Sequence, residues 1–243
     1  MISFIFFICN TSCADDKEKK VKGIKGALFA MLLLVAMPSV IFAGGKSNLK
    51  NLAKDNAGKT IAVVSLSANN YGNSLQGWND ANSSNLMASK LNVMLTMVEL
   101  NLSKDWKVVK ADTFIEKDDF QKLAGDMRDV GVPEKNGKKL PLFGNDRKQL
   151  IKASVDQGVV KQIAAITGTD YVVVIYSEWA IAVGKMIPTS KALAKNVLSV
   201  YDKDGKQVFN GRSDKLGSKT IGAMGVVKVD ETTIDQWVEA YLS

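Results

Sequence analysis

The sequence predicts an α/β fold: a mixed sheet packed by amphipathic helices, in a single domain that closes with a C-terminal hairpin and helix. Three observations predict it. Val172 to Ile175 is an unbroken run of β-formers, entered through Gly168-Thr169-Asp170 and left through a polar end near Trp179. Such a run reads as a strand covered on both faces. Lys59 to Leu66, KTIAVVSL, is a second run of the same kind and its natural neighbour. Between them, Met87, Leu91, Met94, Leu95, Val98 and Leu102 recur at three- and four-residue steps, the signature of a helix with one buried face.

The chain has 243 residues, 46% hydrophobic and 23% charged, which suits one globular domain with extensions. Val21 to Ala43 has the parts of a secretory signal peptide: Lys22 and Lys25, the apolar core Ala27–Ala36, Pro38, and a small residue at Ala43. Cleavage is expected before Gly44. Residues 1–20 fit poorly in front of it, and we expect them to be a start-site extension, with translation beginning at Val21. The division is therefore 1–20 extension, 21–43 signal peptide, 44–58 leader and 59–243 domain.

The net charge is +7, but residues 1–43 hold five lysines and three acids, leaving 27 basic and 22 acidic residues, a net of +5. The lysines are scattered, which fits a solvated surface and not a nucleic-acid face. There is no histidine, which excludes His-based triads and His-ligated zinc or haem. Cys9 and Cys13 both precede the cleavage point, so the mature chain has no thiol chemistry, as suits an oxidising compartment. No cofactor is expected, and no stable membrane span after cleavage.

In order, the leader Ser47–Asn56 reads as a short helix. Strand Lys59–Leu66 and an Asn-rich loop follow, then the long helix from Asn85. Trp106–Val109 is a short strand. Thr113 and Glu116 have capping-box spacing for a helix through Arg128 burying Phe120, Leu123 and Met127. Gly131–Asn145, with two prolines, reads as a loop. Asp146 can cap a helix that Gly158 breaks, and VVKQIAAIT leads to a C-cap at Gly168. After Trp179 a looser segment runs to Ser190. Ala194–Tyr201 and Gln207–Gly211 flank the turn Asp202–Lys206. Gly211–Gly225 is glycine-rich and polar. Ile234, Trp237, Val238, Tyr241 and Leu242 give the last helix one apolar face after Asp230. Crossover helices in the first half call for parallel strands.

The elements TIAVVSL, WKVVKAD, IAAITGTDYVVV and LSVYDKDGKQVF resemble the small α/β domain of several envelope proteins. These are the amino-terminal domain of the Tol–Pal propeller protein, curli-type secretion lipoproteins and the lipoprotein activators of penicillin-binding proteins. The resemblance spans roughly Lys59 to Gly211. It implies a non-enzymatic protein that binds an envelope protein partner. Two departures stand out. There is no lipobox cysteine, and Ala180–Ser190 is too short for a membrane-spanning hairpin.

Several motifs are better read as structure. Ala53–Thr60 matches a relaxed phosphate-loop pattern, but Lys59-Thr60 opens a strand and not a helix. Ser47-x-x-Lys50 has no Lys-Thr-Gly companion. Asp202-x-Asp204-Gly205 resembles a calcium loop, but Ser213 stands where the closing Glu belongs. Asp118, Asp119, Asp126 and Asp129 read as a solvated helix face.

The stretch chosen as a binding site is the loop after the first strand: Asn69, Asn70, Tyr71, Asn73, Trp78, Asn79 and Asp80. Sites in open α/β sheets gather beyond the carboxyl ends of strands. Aromatics among small polar residues suit a contact surface. The expected function is an exported, soluble, non-enzymatic accessory or binding protein of the bacterial envelope, periplasmic or secreted. Two other readings stay open on the residues: a carboxylate-dependent envelope hydrolase, and a small-molecule-binding protein using the Asn-rich loop.

Overall fold

The computed structural model describes residues 46–69, 75–76, 81–125 and 130–243. The elements are helix α1 (Lys46–Asp55), strands β1 (Thr60–Asn69) and β2 (Leu75–Gln76), helix α2 (Ala81–Leu102) and strand β3 (Lys107–Val108). A 3-10 turn at Ala111–Thr113 and helix α3 (Asp118–Gln121) come next. Strands β4 (Glu134–Lys135) and β5 (Lys138–Lys139) precede helices α4 (Arg147–Ile151) and α5 (Gln157–Thr167). Strands β6 (Tyr171–Val183), β7 (Thr189–Asp202), β8 (Gln207–Ala223) and β9 (Val227–Lys228) lead to helix α6 (Glu231–Leu242).

The main sheet has the order β3-β1-β6-β7-β8. β1 is parallel to both neighbours, and β6, β7 and β8 run antiparallel. The mixed sheet and the parallel pairing of the first half are as the sequence implies. β1 sits between two strands and under helices on both faces, and every residue from Ile61 to Asn69 is buried. Ile61, Val63, Val64 and Leu66 each contribute about 1.5–3 kcal/mol on burial.

Asp170 joins the two central strands at their start. Its Oδ2 accepts from Thr60 N and Thr60 Oγ1, both at 3.0 Å, and its own N–H donates to Thr60 Oγ1 at 2.9 Å. These bonds hold its carboxyl below the usual carboxylate range. Gly168 caps α5 in the left-handed conformation, φ 67°, as its position predicts.

Helices α2 and α6 cover one face of the sheet. Trp237 of α6 stacks on Trp179 of β6 with ring centroids 5.9 Å apart and planes 5° from parallel. Its Nε1 donates to Ala180 O at 2.8 Å. Helices α4 and α5 cover the other face, but only over the starting half of β6. Ser199 Oγ and Tyr201 OH donate to the carbonyls of Lys152 and Ala153 in the link between them. All five residues assigned to the apolar face of the last helix are buried.

The structure differs from the sequence reading at five places. The helix expected from Thr113 to Arg128 is only Asp118–Gln121. Thr113 Oγ1 donates backwards to Lys110 O, and Glu116 accepts from Asn136 Nδ2, so neither is free to cap. Phe120 is buried and Leu123 half-buried, while Met127 and Arg128 lie outside the described residues. The loop Gly131–Asn145 contains the hairpin β4–β5, turned by Asn136 and Gly137 at φ 52° and 72°. The break before α5 falls at Ala153, φ 48°, and Gly158 lies within the first turn of α5. The looser segment after Trp179 is strand: β6 runs to Val183 and β7 starts at Thr189. The glycine-rich stretch from Gly211 lies within β8. At Gly217 a Cβ would come 3.0 Å from Gln236 O, so the glycine lets α6 approach the strand closely.

Candidate functional site

The long strands β6, β7 and β8 outrun the helices on one side. Side chains alternate between faces, and the register sorts them. Val174, Tyr176, Glu178 and Ala180 of β6 share a face with Ser199, Val197, Lys195 and Leu193 of β7. Arg212, Asp214 and Leu216 of β8 continue those rows. The link between α4 and α5 reaches this face at Ser199, and Tyr176 is still buried. Further along, Glu178, Ala180, Lys195 and Leu193 are only half-buried, and Leu216 is 54% exposed.

Two ion pairs border this open face. Lys195 Nζ lies 3.3 Å from Glu178 Oε1 across the β6–β7 pair, with side chains 32% and 25% exposed. Arg212 holds Asp214 with two bonds, Nε to Oδ1 and Nη2 to Oδ2, both at 3.0 Å. Asp214 raises the Arg212 guanidinium further above its ordinary value. Beside this charged row runs the apolar row Ala180, Leu193, Leu216. An apolar strip with fixed charges along one margin can be desolvated by a partner while the charges set register.

Of the sequence-predicted site residues, the structure describes Asn69. It is buried at the end of β1, in register with Glu178, so it begins the row Asn69, Glu178, Lys195, Asp214. Asn70, Tyr71, Asn73, Trp78, Asn79 and Asp80 lie outside the described residues. Sequence reasoning missed Lys195, Leu193 and Leu216. The alternation in KALAKNV, Lys191 to Val197, was the available signal, with Lys191, Leu193, Lys195 and Val197 on one side.

The residues of the calcium-loop and phosphate-loop patterns are engaged in holding the fold, and so is a buried carboxyl. Asp202 Oδ1 accepts from the N–H groups of Asp204 and Lys206, which closes its own turn. Lys59 and Thr60 open β1 and meet Asp170. Glu99, buried on α2, accepts from Ala111 N at 2.8 Å, and burial pushes its carboxyl above the usual value.

No family model and no curated protein matches the chain. Solved structures overlap it at a distance. Lipoprotein GNA1162 from Neisseria meningitidis is 13% identical, with a TM-score of 0.36 over 67% of this chain and 83% of that one. The C-terminal domain of LpoB from Salmonella enterica is 14% identical, with a TM-score of 0.31 over 68% of this chain and 93% of that one. The hypothetical protein CT253 from Chlamydia trachomatis is 11% identical, with a TM-score of 0.30 over 67% and 74% of the two chains. Overlaps this shallow carry no information on function.

Proposed function

We propose that the chain is an exported, non-enzymatic binding module of the bacterial envelope that meets a protein partner through the open face of β6–β8. The observation that carries the reading is the apolar row Ala180, Leu193, Leu216 beside the charged row Glu178, Lys195, Asp214. Pairs of this kind add little as isolated surface bridges. Their use is to fix orientation once a partner excludes water. Asn69 stands in register with Glu178 at the start of this row, and the proposal includes the sequence-chosen Tyr71 and Trp78 in the contact surface. The signal-peptide pattern supports the compartment.

The test uses a photo-reactive residue at Leu216 and, as control, at Lys203 in the turn at the opposite end of the hairpin. The expected result is a discrete product with a second envelope protein from position 216 alone, in a chain beginning at Gly44. Equal products from both positions, or retention of the chain in the cytoplasm, would overturn the reading.

A further inference from the structure

The far ends of β6, β7, β8 and β9 form a knob that the protein-contact face does not use. Met224 N donates to Pro188 O at 2.7 Å, and Gly225 N donates to Ser190 Oγ at 3.0 Å, so the β6–β7 loop and the β8–β9 turn are bonded together. Met186 at the tip is 97% exposed and Met224 is 77% exposed, with Ile187, Val226 and Val183 also open to solvent. Met224 and Gly225 have φ 53° and 79°, and Val226 N bonds Ala223 O across them. A two-residue turn of this geometry favours Asn or Asp at its first position. Here an apolar methionine takes that place and points to water.

The shoulder of the knob is basic. Residues 179–201 and 215–229 contain lysines and no Asp or Glu. Lys185, Lys219 and Lys228 are exposed, with no ion-pair partner among the described residues. Among the described residues, the acids that follow or precede these segments in the chain are committed elsewhere: Asp230 caps α6, Glu231 and Asp235 pair with Lys90, and Asp214 pairs with Arg212.

We propose that this knob docks on an anionic phospholipid surface, with Met186, Ile187 and Met224 in the headgroup–acyl boundary and the lysines against lipid phosphates. A convex apolar tip ringed by point-charge ammonium groups suits a diffuse anionic plane, into which apolar side chains sink about 5–10 Å. The exposed apolar side chains of the loop, Val183, Met186 and Ile187, are interrupted by Gly184 and Lys185 and fall far short of the roughly 9–11 residues a spanning strand needs, so the knob rests on the bilayer without crossing it. The inference goes beyond the partner reading and is separable from it, because the two use different residues.

The experiment is flotation of the full chain with vesicles of phosphatidylcholine alone or mixed with phosphatidylglycerol. Every variant carries the parent's amino terminus, so differences report the knob. Binding is expected to the mixed vesicles and to fall about a hundredfold in the triple Lys185→Gln, Lys219→Gln, Lys228→Gln variant. Met186→Asp with Met224→Asp should abolish it, with the circular-dichroism spectrum unchanged. As a second reading, Met186→Trp should be quenched by brominated acyl chains and Leu100→Trp, at the opposite end, should not. Equal flotation of parent and variants, equal quenching at 186 and 100, or indifference to phosphatidylglycerol would overturn the proposal. None of these failures would touch the cross-link at Leu216.

Discussion

Replacing Trp237 by alanine removes the largest fully buried side chain that α6 lays on the sheet. The ring is fully buried, lies flat on Trp179 and donates its one N–H to Ala180 O. Truncating a buried Trp costs about 3–5 kcal/mol, and the lost hydrogen bond adds about 1 kcal/mol. The sum, about 4–6 kcal/mol, is a large share of the roughly 5–15 kcal/mol that holds a domain together. Trp237→Phe keeps an aromatic surface on Trp179 but has no N–H, and should cost about 1–3 kcal/mol. Urea unfolding followed by circular dichroism measures both. The midpoint should fall in the order parent, Phe, Ala, with the slope unchanged, because α6 unfolds with the rest. A loss below about 1.5 kcal/mol for Trp237→Ala, or a shallower slope, would show that α6 is a separable appendage and refute the single-core argument.

Asp170→Ala should cost about 1–2 kcal/mol at neutral pH, allowing for its partial exposure. Its lowered pKa stabilises above the unfolded carboxylate value, about 3.9, and that contribution fades as pH falls through the folded value. The variant should therefore lose part of the parent's acid-limb slope in a melting-temperature series. Glu99 has the opposite sign: the fold holds a proton the unfolded chain sheds, so stability falls as pH rises from about 4.3 through the raised folded value. Glu99→Gln should flatten that slope and keep an acceptor for Ala111 N, whereas Glu99→Ala leaves that N–H unbonded and should cost about 1–3 kcal/mol. Gly205→Ala should destabilise more than Gly58→Ala in thermal melts. Both have φ near 80°, but a Cβ at 205 would come 2.5 Å from Gln157 Cγ and 2.6 Å from its carbonyl oxygen, and one at 58 meets nothing. Trp78→Ala should leave the melting temperature unchanged and reduce the Leu216 cross-link; a large fall in melting temperature would make Trp78 part of the core.

The central strands were legible because burial on both faces leaves an unbroken apolar run, and the caps at Asp146 and Gly168 because backbone geometry demands those residue types. The failures also have physical causes. Thr113 and Glu116 have capping-box spacing, but their side chains found other partners at Lys110 and Asn136, and a spacing rule cannot see the competitor. The ends of β6 and β8 were hidden by glycines. Gly217 read as loop chemistry, yet it is there because α6 passes close to the strand, a contact made by residues nearly twenty positions later. The open face was hidden for another reason. Alternation in residues 191–197 shows that a strand has two sides, but only the helices' positions show which side lacks a cover.

The sheet order also sets a schedule for assembly. β7 folds back on β6, and β8 on β7, through short loops, so those three strands meet neighbours made moments earlier. β1 does not. Thr60 finds Asp170 across 110 residues, and contacts of that span close slowly because the intervening chain must be ordered first. This strand, buried from Ile61 to Asn69, is thus among the earliest made and among the last enclosed. Until β6 is available, β1 has only the two-residue β3 to pair with, and Ala62 to Leu66 is an unpaired strand of the kind that sticks to copies of itself. An incomplete chain lacking β6 would therefore keep its aggregation hazard and lose its remedy, which ties the solubility of the first strand to synthesis of the sixth.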